Sequence, residues 1–190
     1  MNGFEVTDAP ATSARDSEVR SQEAGRDESA VSAAVVTINK PAQELYDFWR
    51  DFANLARVME NIESITTADA SRSTWKVKAP ADRSVTWDSV VTEDQPGQLI
   101  AWQSVEGSEI RNSGRIEFRE VKGRGTVVRA VIAYDPPGGA VAKLIAKLFQ
   151  REPALQARRD LRRFKQYMET GEISTSAWTR AQATDLPTAA

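Results

Sequence analysis

The 190-residue sequence contains neither histidine nor cysteine. Histidine is the usual general base near neutral pH, and cysteine supplies thiol nucleophiles and disulfide bonds. Their absence excludes Ser-His-Asp and cysteine-based catalysis, disulfide crosslinks and the common His/Cys zinc sites. Any catalytic group must come from Asp, Glu, Lys, Arg, Tyr, Ser or Thr, and we expect no cofactor and no metal.

Long apolar runs are missing as well. No stretch approaches the ~20 residues that a membrane-spanning helix needs, and Met1–Pro10 lacks the basic and apolar regions of a secretory signal. A cytoplasmic location is therefore expected. The formal net charge of −2 indicates no bulk attraction to nucleic acid. Neither the GxxxxGK[ST] nor the GxGxxG phosphate-binding pattern occurs in the sequence.

Both ends of the chain have a low-complexity composition. Residues 1–29 are rich in Ser, Ala, Asp, Glu and Arg, with seven acidic and three basic side chains, and residues 174–190 are similar. Such segments bury too little apolar surface to offset the entropy lost on ordering. We therefore expect one domain over residues 30–173, flanked by a disordered N-terminal tail and a disordered C-terminal tail.

The most regular pattern in the sequence is a 3.6-residue apolar repeat from Gly138 to Thr170, which predicts a long amphipathic helix. Pro153 has no N–H to donate, so a bend is expected near residues 150–153. At about 1.5 Å per residue the helix would span roughly 45 to 50 Å, enough to cover a whole sheet. Its apolar stripe consists of Val141, Leu144, Ile145, Leu148 and Phe149, followed by Ala157, Leu161, Phe164 and Met168.

Strand patterns fill most of the sequence ahead of this helix, at the spacing typical of an antiparallel meander. After the first strand, Pro41 starts an amphipathic helix, and a second short helix follows. The apolar face of the first helix consists of Leu45, Phe48, Trp49 and Phe52. This order indicates an α+β fold and not a doubly wound sheet. The buried face of the fifth strand stays ambiguous. The predicted strands are 30–38, 62–67, 73–79, 84–93, 98–105, 111–121 and 126–134.

Five local strings, taken with this element order, resemble the START-like (helix-grip, SRPBCC) superfamily in its polyketide cyclase/dehydrase and coenzyme Q-binding START branch. The resemblance covers about residues 30–173. It implies a curved antiparallel sheet of about seven strands wrapped on the C-terminal helix, with two short helices after the first strand. It also implies an apolar cavity between the sheet and the C-terminal helix that holds a lipid, quinone, sterol or aromatic polyketide. It carries no catalytic motif. The strings are VTWD at 85–88, IAWQS at 100–104, NSGRIEF at 112–118, YDPPG at 134–138 and LRRFK at 161–165.

Seven residues are candidates for lining the cavity that this resemblance implies. Aromatic rings offer a flat apolar ligand a large contact area, and a few polar groups orient it. For the tryptophans the alternative is ordinary core packing, and for the two polar candidates it is satisfaction of the backbone at a strand end. The candidates are Trp75, Trp87, Trp102, Asn112, Phe118, Tyr134 and Leu148.

Three functions stay open at this point. The first is a module that binds a small hydrophobic ligand, with no nucleic acid as partner and no catalytic residue. The second is a cyclase/dehydrase-type enzyme, for which Asp88 with Arg111 or Tyr134 is the best available acid–base set. The third is a membrane-peripheral or adaptor protein that uses the basic C-terminal helix, whose alternative is an ordinary solvated face.

Overall fold

A computed structural model describes residues 30–79, 82–108, 110–135 and 153–174. The strands are β1 (Ala30–Ile38), β2 (Ile62–Thr67), β3 (Arg72–Ala79), β4 (Arg83–Gln95), β5 (Leu99–Ser104), β6 (Arg111–Val121) and β7 (Gly125–Asp135). The helices are α1 (Ala42–Arg50), α2 (Leu55–Val58) and α3 (Pro153–Thr170), with a 3-10 turn at Phe52–Asn54. Residues 138–152 of the predicted long helix, with Leu148 and the predicted bend, lie outside the described residues. So do the predicted tails up to residue 29 and from residue 175.

The described strands form one curled antiparallel sheet of seven strands, in the order β1-β7-β6-β5-β4-β3-β2. Consecutive strands from β2 to β7 are neighbours because short turns join them. Strand β1 lies at the edge of the sheet and pairs with β7 along its whole length. The helices pack against the concave face. The predicted helix-grip α+β fold, with two short helices after the first strand, is confirmed.

Strand β4 differs most from its predicted bounds. A register shift between Val91 and Glu93 leaves one residue of β4 unpaired, and the strand then continues until Gln95 pairs with Leu99. A bulge of this kind bends a strand without ending it. The turn predicted at residues 94–97 therefore starts two residues later, around Gly97, which adopts a φ of +70°.

The core lies between the concave face and the helices. In β5, Ile100 is fully buried and Trp102 is 3% exposed, which resolves the ambiguous face of that strand. Alternating side chains of β3 and β6 enter the core, as expected for a sheet covered on one side. Strand β2 departs from this pattern and buries Ile62 and Ile65, because a register shift follows Ile62. The most completely buried apolar side chains are Trp49, Phe164, Ile38, Leu45, Leu55, Ile100, Ile116, Val58 and Val128.

Helix α3 is fixed beside β1 by polar contacts near its C-terminus. Lys165 Nζ donates to the carbonyl oxygen of Thr37 at 2.7 Å, and the backbone N–H of Asn39 donates to Glu169 Oε1 at 2.7 Å. These contacts place the C-terminal half of α3 at the C-terminal end of β1. Since β7 is antiparallel to β1, the N-terminal half of α3 lies toward the end of the sheet where β7 finishes. No helix among the described residues is long and apolar enough to cross a membrane.

Asp160 lies where α3 meets the turn that follows α2. Its carboxylate accepts hydrogen bonds from the Glu60 N–H at 3.4 Å and from Gln156 Nε2 at 3.0 Å. Burial raises the pKa of Asp160 from 3.8 to about 6, although these hydrogen bonds and the charge of Arg163 oppose the rise. The folded state therefore favours the protonated form. The resulting stabilisation is complete below about pH 4 and is lost as the pH rises through 6.

Asp160→Asn should stabilise the protein above pH 6 and leave it unchanged near pH 4, because the amide is neutral and keeps an acceptor oxygen. The expected gain in the free energy of unfolding at pH 8 is on the order of 1 to 3 kcal/mol. Urea titrations of variant and parent at several pH values measure the difference. A difference that is constant with pH would show that Asp160 titrates as it does in the unfolded chain.

Candidate functional site

Three tryptophans from neighbouring strands form a stack inside the sheet. The ring of Trp75 lies 6.1 Å from that of Trp87 at an interplanar angle of 18°, and 5.8 Å from that of Trp102 at 15°. Trp75 and Trp87 face each other directly in the β3–β4 register. Phe52 covers the stack, at 5.6 Å from Trp75 and 5.8 Å from Trp102. The three tryptophans predicted as ligand-binding residues thus pack against one another as one block.

The indole N–H groups of the stack differ in their hydrogen bonds. Trp75 Nε1 donates to Ser73 Oγ at 2.9 Å, and Trp87 Nε1 donates to Ser89 Oγ at 3.2 Å. Trp102 Nε1 is buried and has no partner among the described residues. A buried donor without an acceptor costs about 1 to 3 kcal/mol. Within the part of the chain that the structure describes, Trp102 is therefore the member of the stack whose indole N–H has no acceptor.

Gly114 on β6 makes room for Trp102. The two residues are partners in the β5–β6 register, and a Cβ placed on Gly114 would lie only 2.1 Å from Cζ2 of the Trp102 indole. The six-membered ring therefore lies directly on the β6 backbone. Gly114 was not among the predicted site residues, yet a glycine inside a strand pattern is a signal of close approach.

A cleft of about 480 Å³ opens at the end of the sheet where β5 and β7 finish and β6 begins. The loop between β5 and β6 forms one wall. Its lining is mostly polar and includes Ser104, Ser108, Arg111, Asn112 and Tyr134. Two of the predicted ligand-binding residues, Asn112 and Tyr134, therefore lie at this cleft.

Asn112 and Tyr134 lie between the cleft and the interior of the protein. They are partners in the β6–β7 register, and the Asn112 N–H donates to Ser104 Oγ at 3.1 Å. Tyr134 is only 4% exposed. Asn112 lies two residues from Gly114 on the same face of β6, a distance of about 7 Å along a strand. The Trp102 indole thus lies one position further along the sheet than the polar pair, and none of the three tryptophans lines the cleft itself.

Phe118 and Asp88 are not part of this arrangement. Phe118 lies further along β6, away from the cleft, and packs edge-on against Tyr46 at 6.2 Å. Asp88 is exposed on the outer face of β4 and accepts a hydrogen bond from Thr74 Oγ1 at 2.6 Å. Since Arg111 lines the cleft and Asp88 does not, the acid–base set considered from sequence is not assembled.

A second polar cluster, not predicted from sequence, joins α1 to β4. The Tyr46 hydroxyl donates to Asp94, whose other oxygen accepts from Arg50 Nε at 2.7 Å. Burial and the neighbouring carboxylate raise the pKa of Tyr46 to about 12. The phenol therefore stays protonated near neutral pH, and the cluster holds α1 on the sheet. Within the described ranges, no three His, Cys, Asp or Glu side chains are placed to hold a metal ion.

Comparison with known proteins adds three similarities. The profile of a family described as polyketide cyclase / dehydrase and lipid transport matches residues 38–162. A crystallised protein of Deinococcus radiodurans is 40% identical, with a TM-score of 0.62, over 75% of this chain and 100% of that one. An uncharacterised 17.2 kDa protein of Streptomyces lincolnensis is 24% identical over 144 residues, 75% of this chain and 92% of its own.

The Zhui aromatase/cyclase from Streptomyces sp. R1128 is also similar in structure. Its TM-score is 0.57, and the match covers 77% of this chain and 100% of the aromatase/cyclase. The sequences are only 14% identical. This similarity shows a shared fold and carries no conclusion about a shared reaction.

Proposed function

The chain belongs to the polyketide cyclase/dehydrase and lipid transport family, and we propose that it binds one small hydrophobic molecule of the lipid, quinone or aromatic polyketide type. The ligand enters through the cleft beside the β5–β6 loop. An oxygen of the ligand reaches past Asn112 toward the Trp102 N–H, and the apolar part of the ligand fills the rest of the cleft. The observation that carries the proposal is the buried Trp102 N–H, which lacks an acceptor among the described residues.

A ligand oxygen offers the acceptor that the described residues do not supply to Trp102. A carbonyl or hydroxyl oxygen at this depth would offset the cost of the buried donor. The cleft volume of about 480 Å³ lies within the range of small-molecule sites. Ser104, Asn112 and Tyr134 supply the few polar groups that such sites use for orientation.

Binding without chemistry is favoured over cyclisation or dehydration for a specific reason. Those reactions need a proton donor or acceptor near a carbonyl group, and the carboxylate considered for this role, Asp88, lies on the outer face of the sheet. The sequence has no histidine or cysteine to replace it. Among the described residues the cleft holds one carboxylate, that of Glu106, which is exposed on the β5–β6 loop and not buried beside Asn112 and Tyr134. Tyr134 and Arg111 then act as parts of the binding surface.

Displacement of the fluorescent dye anilinonaphthalene sulfonate tests the proposal. Decylubiquinone, oleate and emodin serve as one quinone, one lipid and one polyketide-type competitor, and we expect at least one to displace the dye. Asn112→Leu should weaken that competitor roughly three- to tenfold, the effect of one lost hydrogen bond. Asn61→Leu, the same change in the turn before β2, is the control and should leave affinity unchanged.

Two results would contradict the binding proposal. One is the failure of all three competitors to displace the dye, together with native mass spectra of gently purified protein that show no added mass. The other is an equal effect of the two asparagine variants on affinity, because the asparagine at the cleft would then have no special role.

A further inference from the structure

One exposed face of α3 combines three arginines with a leucine. Leu155, Arg158, Arg159 and Arg162 follow the spacing i, i+3, i+4 and i+7, so they share one side of the helix. All four are exposed, and Leu155 keeps 44% of its surface accessible. We call these four residues the basic face.

The basic face is not neutralised by the rest of the described chain. Among the residues that the structure describes, no carboxylate or carbonyl group binds the side chains of Arg158, Arg159 or Arg162. The next basic residues of the helix differ, because Arg163 donates to the Val58 carbonyl at 3.0 Å and Lys165 pairs with Glu169 at 2.8 Å. Arg163 and Lys165, which attach α3 to the rest of the domain, are thus different side chains from the arginines of the basic face.

The basic face lies at the same end of the fold as the cleft. It occupies the N-terminal half of α3, while Lys165 and Glu169 hold the C-terminal half at the C-terminal end of β1. The other end of β1 is where β7 finishes, and Tyr134 of β7 lines the cleft. A surface that contacted the basic face would therefore lie near the opening.

We propose that the basic face docks reversibly on a bilayer that contains anionic phospholipid. Arginines along an exposed helix are attracted to anionic headgroups, and a leucine among them enters the boundary between headgroups and acyl chains. The apolar side of α3 is already buried against the core, as Leu161 at 2% and Phe164 at 0% exposure show. The helix therefore adsorbs while the domain stays folded, and the docking does not depend on which ligand the cleft binds.

Co-sedimentation of the full chain with vesicles tests the proposal. Vesicles of phosphatidylglycerol mixed with phosphatidylcholine should bind the protein at about 20 mM salt and release it at about 500 mM, because salt screens exposed charges. Vesicles of phosphatidylcholine alone should not bind it. Replacing the three arginines of the basic face together by glutamate should lower the partition coefficient by at least about 100-fold, since each contributes about fivefold.

A matched control separates the basic face from net charge. Three exposed basic residues lie near the end of β6 and in the turn that follows it, namely Arg119, Lys122 and Arg124. No ion pair of their side chains occurs within the described ranges. Reversing these three charges changes the net charge equally and should alter binding much less. Leu155→Ser should weaken binding several-fold and leave its salt dependence unchanged. Circular dichroism melts confirm that each variant is folded.

Two outcomes would overturn the docking proposal. An equal loss with both triple variants would show a general charge effect. A parent chain that stays in the supernatant with phosphatidylglycerol vesicles at low salt would exclude docking, as expected if the acidic residues 1–29 cover the basic face instead. Either result is independent of the dye-displacement result, so the two proposals fail separately.

Discussion

Phe164→Ala is expected to lower the free energy of unfolding by about 3 to 5 kcal/mol. Phe164 is fully buried, and its ring lies 5.0 Å from Trp49, edge-on, and 5.4 Å from Phe48. Truncation leaves a cavity between α3 and α1 that rigid aromatic neighbours fill poorly. Since a domain is typically stable by about 5 to 15 kcal/mol, this one change removes a large part of the total.

Leu155→Ala on the same helix is the control for Phe164→Ala. Leu155 is 44% exposed, and leucine and alanine both have high helix propensity, so a change below about 0.5 kcal/mol is expected for this surface position. Urea denaturation followed by circular dichroism measures both variants. Similar losses in the two variants would mean that α3 does not close the core through Phe164.

Gly114→Ala is expected to destabilise the protein by about 3 kcal/mol or more, the upper end of overpacking effects. The added methyl group would meet Trp102 at 2.1 Å, far inside van der Waals contact. The indole cannot easily shift away from the added methyl group, because the rings of Trp75 and Phe52 each lie 5.8 Å from it. A thermal melt should show a much lower midpoint or no cooperative transition.

A second substitution tests whether a clash with Trp102 causes the loss of stability in Gly114→Ala. If the clash with Trp102 causes the loss, Trp102→Leu should partly rescue Gly114→Ala, and the two changes together should cost less than their sum. Gly123→Ala in the β6–β7 turn serves as the control. Its φ of +76° makes alanine mildly unfavourable there, but no atom lies within 4 Å of the added carbon. Strict additivity of the two changes would contradict the steric explanation.

The element order was predictable from the sequence because it depends on local patterns. A β-branched run located β1 at its observed bounds, and period-two alternation located β6. The 3.6-residue repeat located the buried positions Leu161 and Phe164 of α3. The end of β4 was not predictable, since a bulge near Val91 is fixed by pairing with β5 and has no local signature.

The candidate site was only partly predictable, because its decisive features join distant parts of the chain. Sequence indicated that Asn112 faces the core but left the buried face of the strand that carries Trp102 open, and the fit of the indole on Gly114 depends on strand register. The hydrogen bond between Tyr46 and Asp94 spans 48 residues. The cleft volume depends on the path of the β5–β6 loop, which no spacing rule fixes.

The indole region of a ¹⁵N–¹H correlation spectrum, recorded while decylubiquinone is added, tests the central claim most directly. The sequence has five tryptophans, so each indole N–H gives a signal that single substitutions assign. We predict that the Trp102 signal moves downfield and saturates as its N–H gains an acceptor, while the signals of Trp75 and Trp87, already bonded to serine hydroxyls, move much less. A Trp102 signal that stays in place while the quinone displaces the dye would contradict a ligand oxygen at Trp102 and place the site elsewhere.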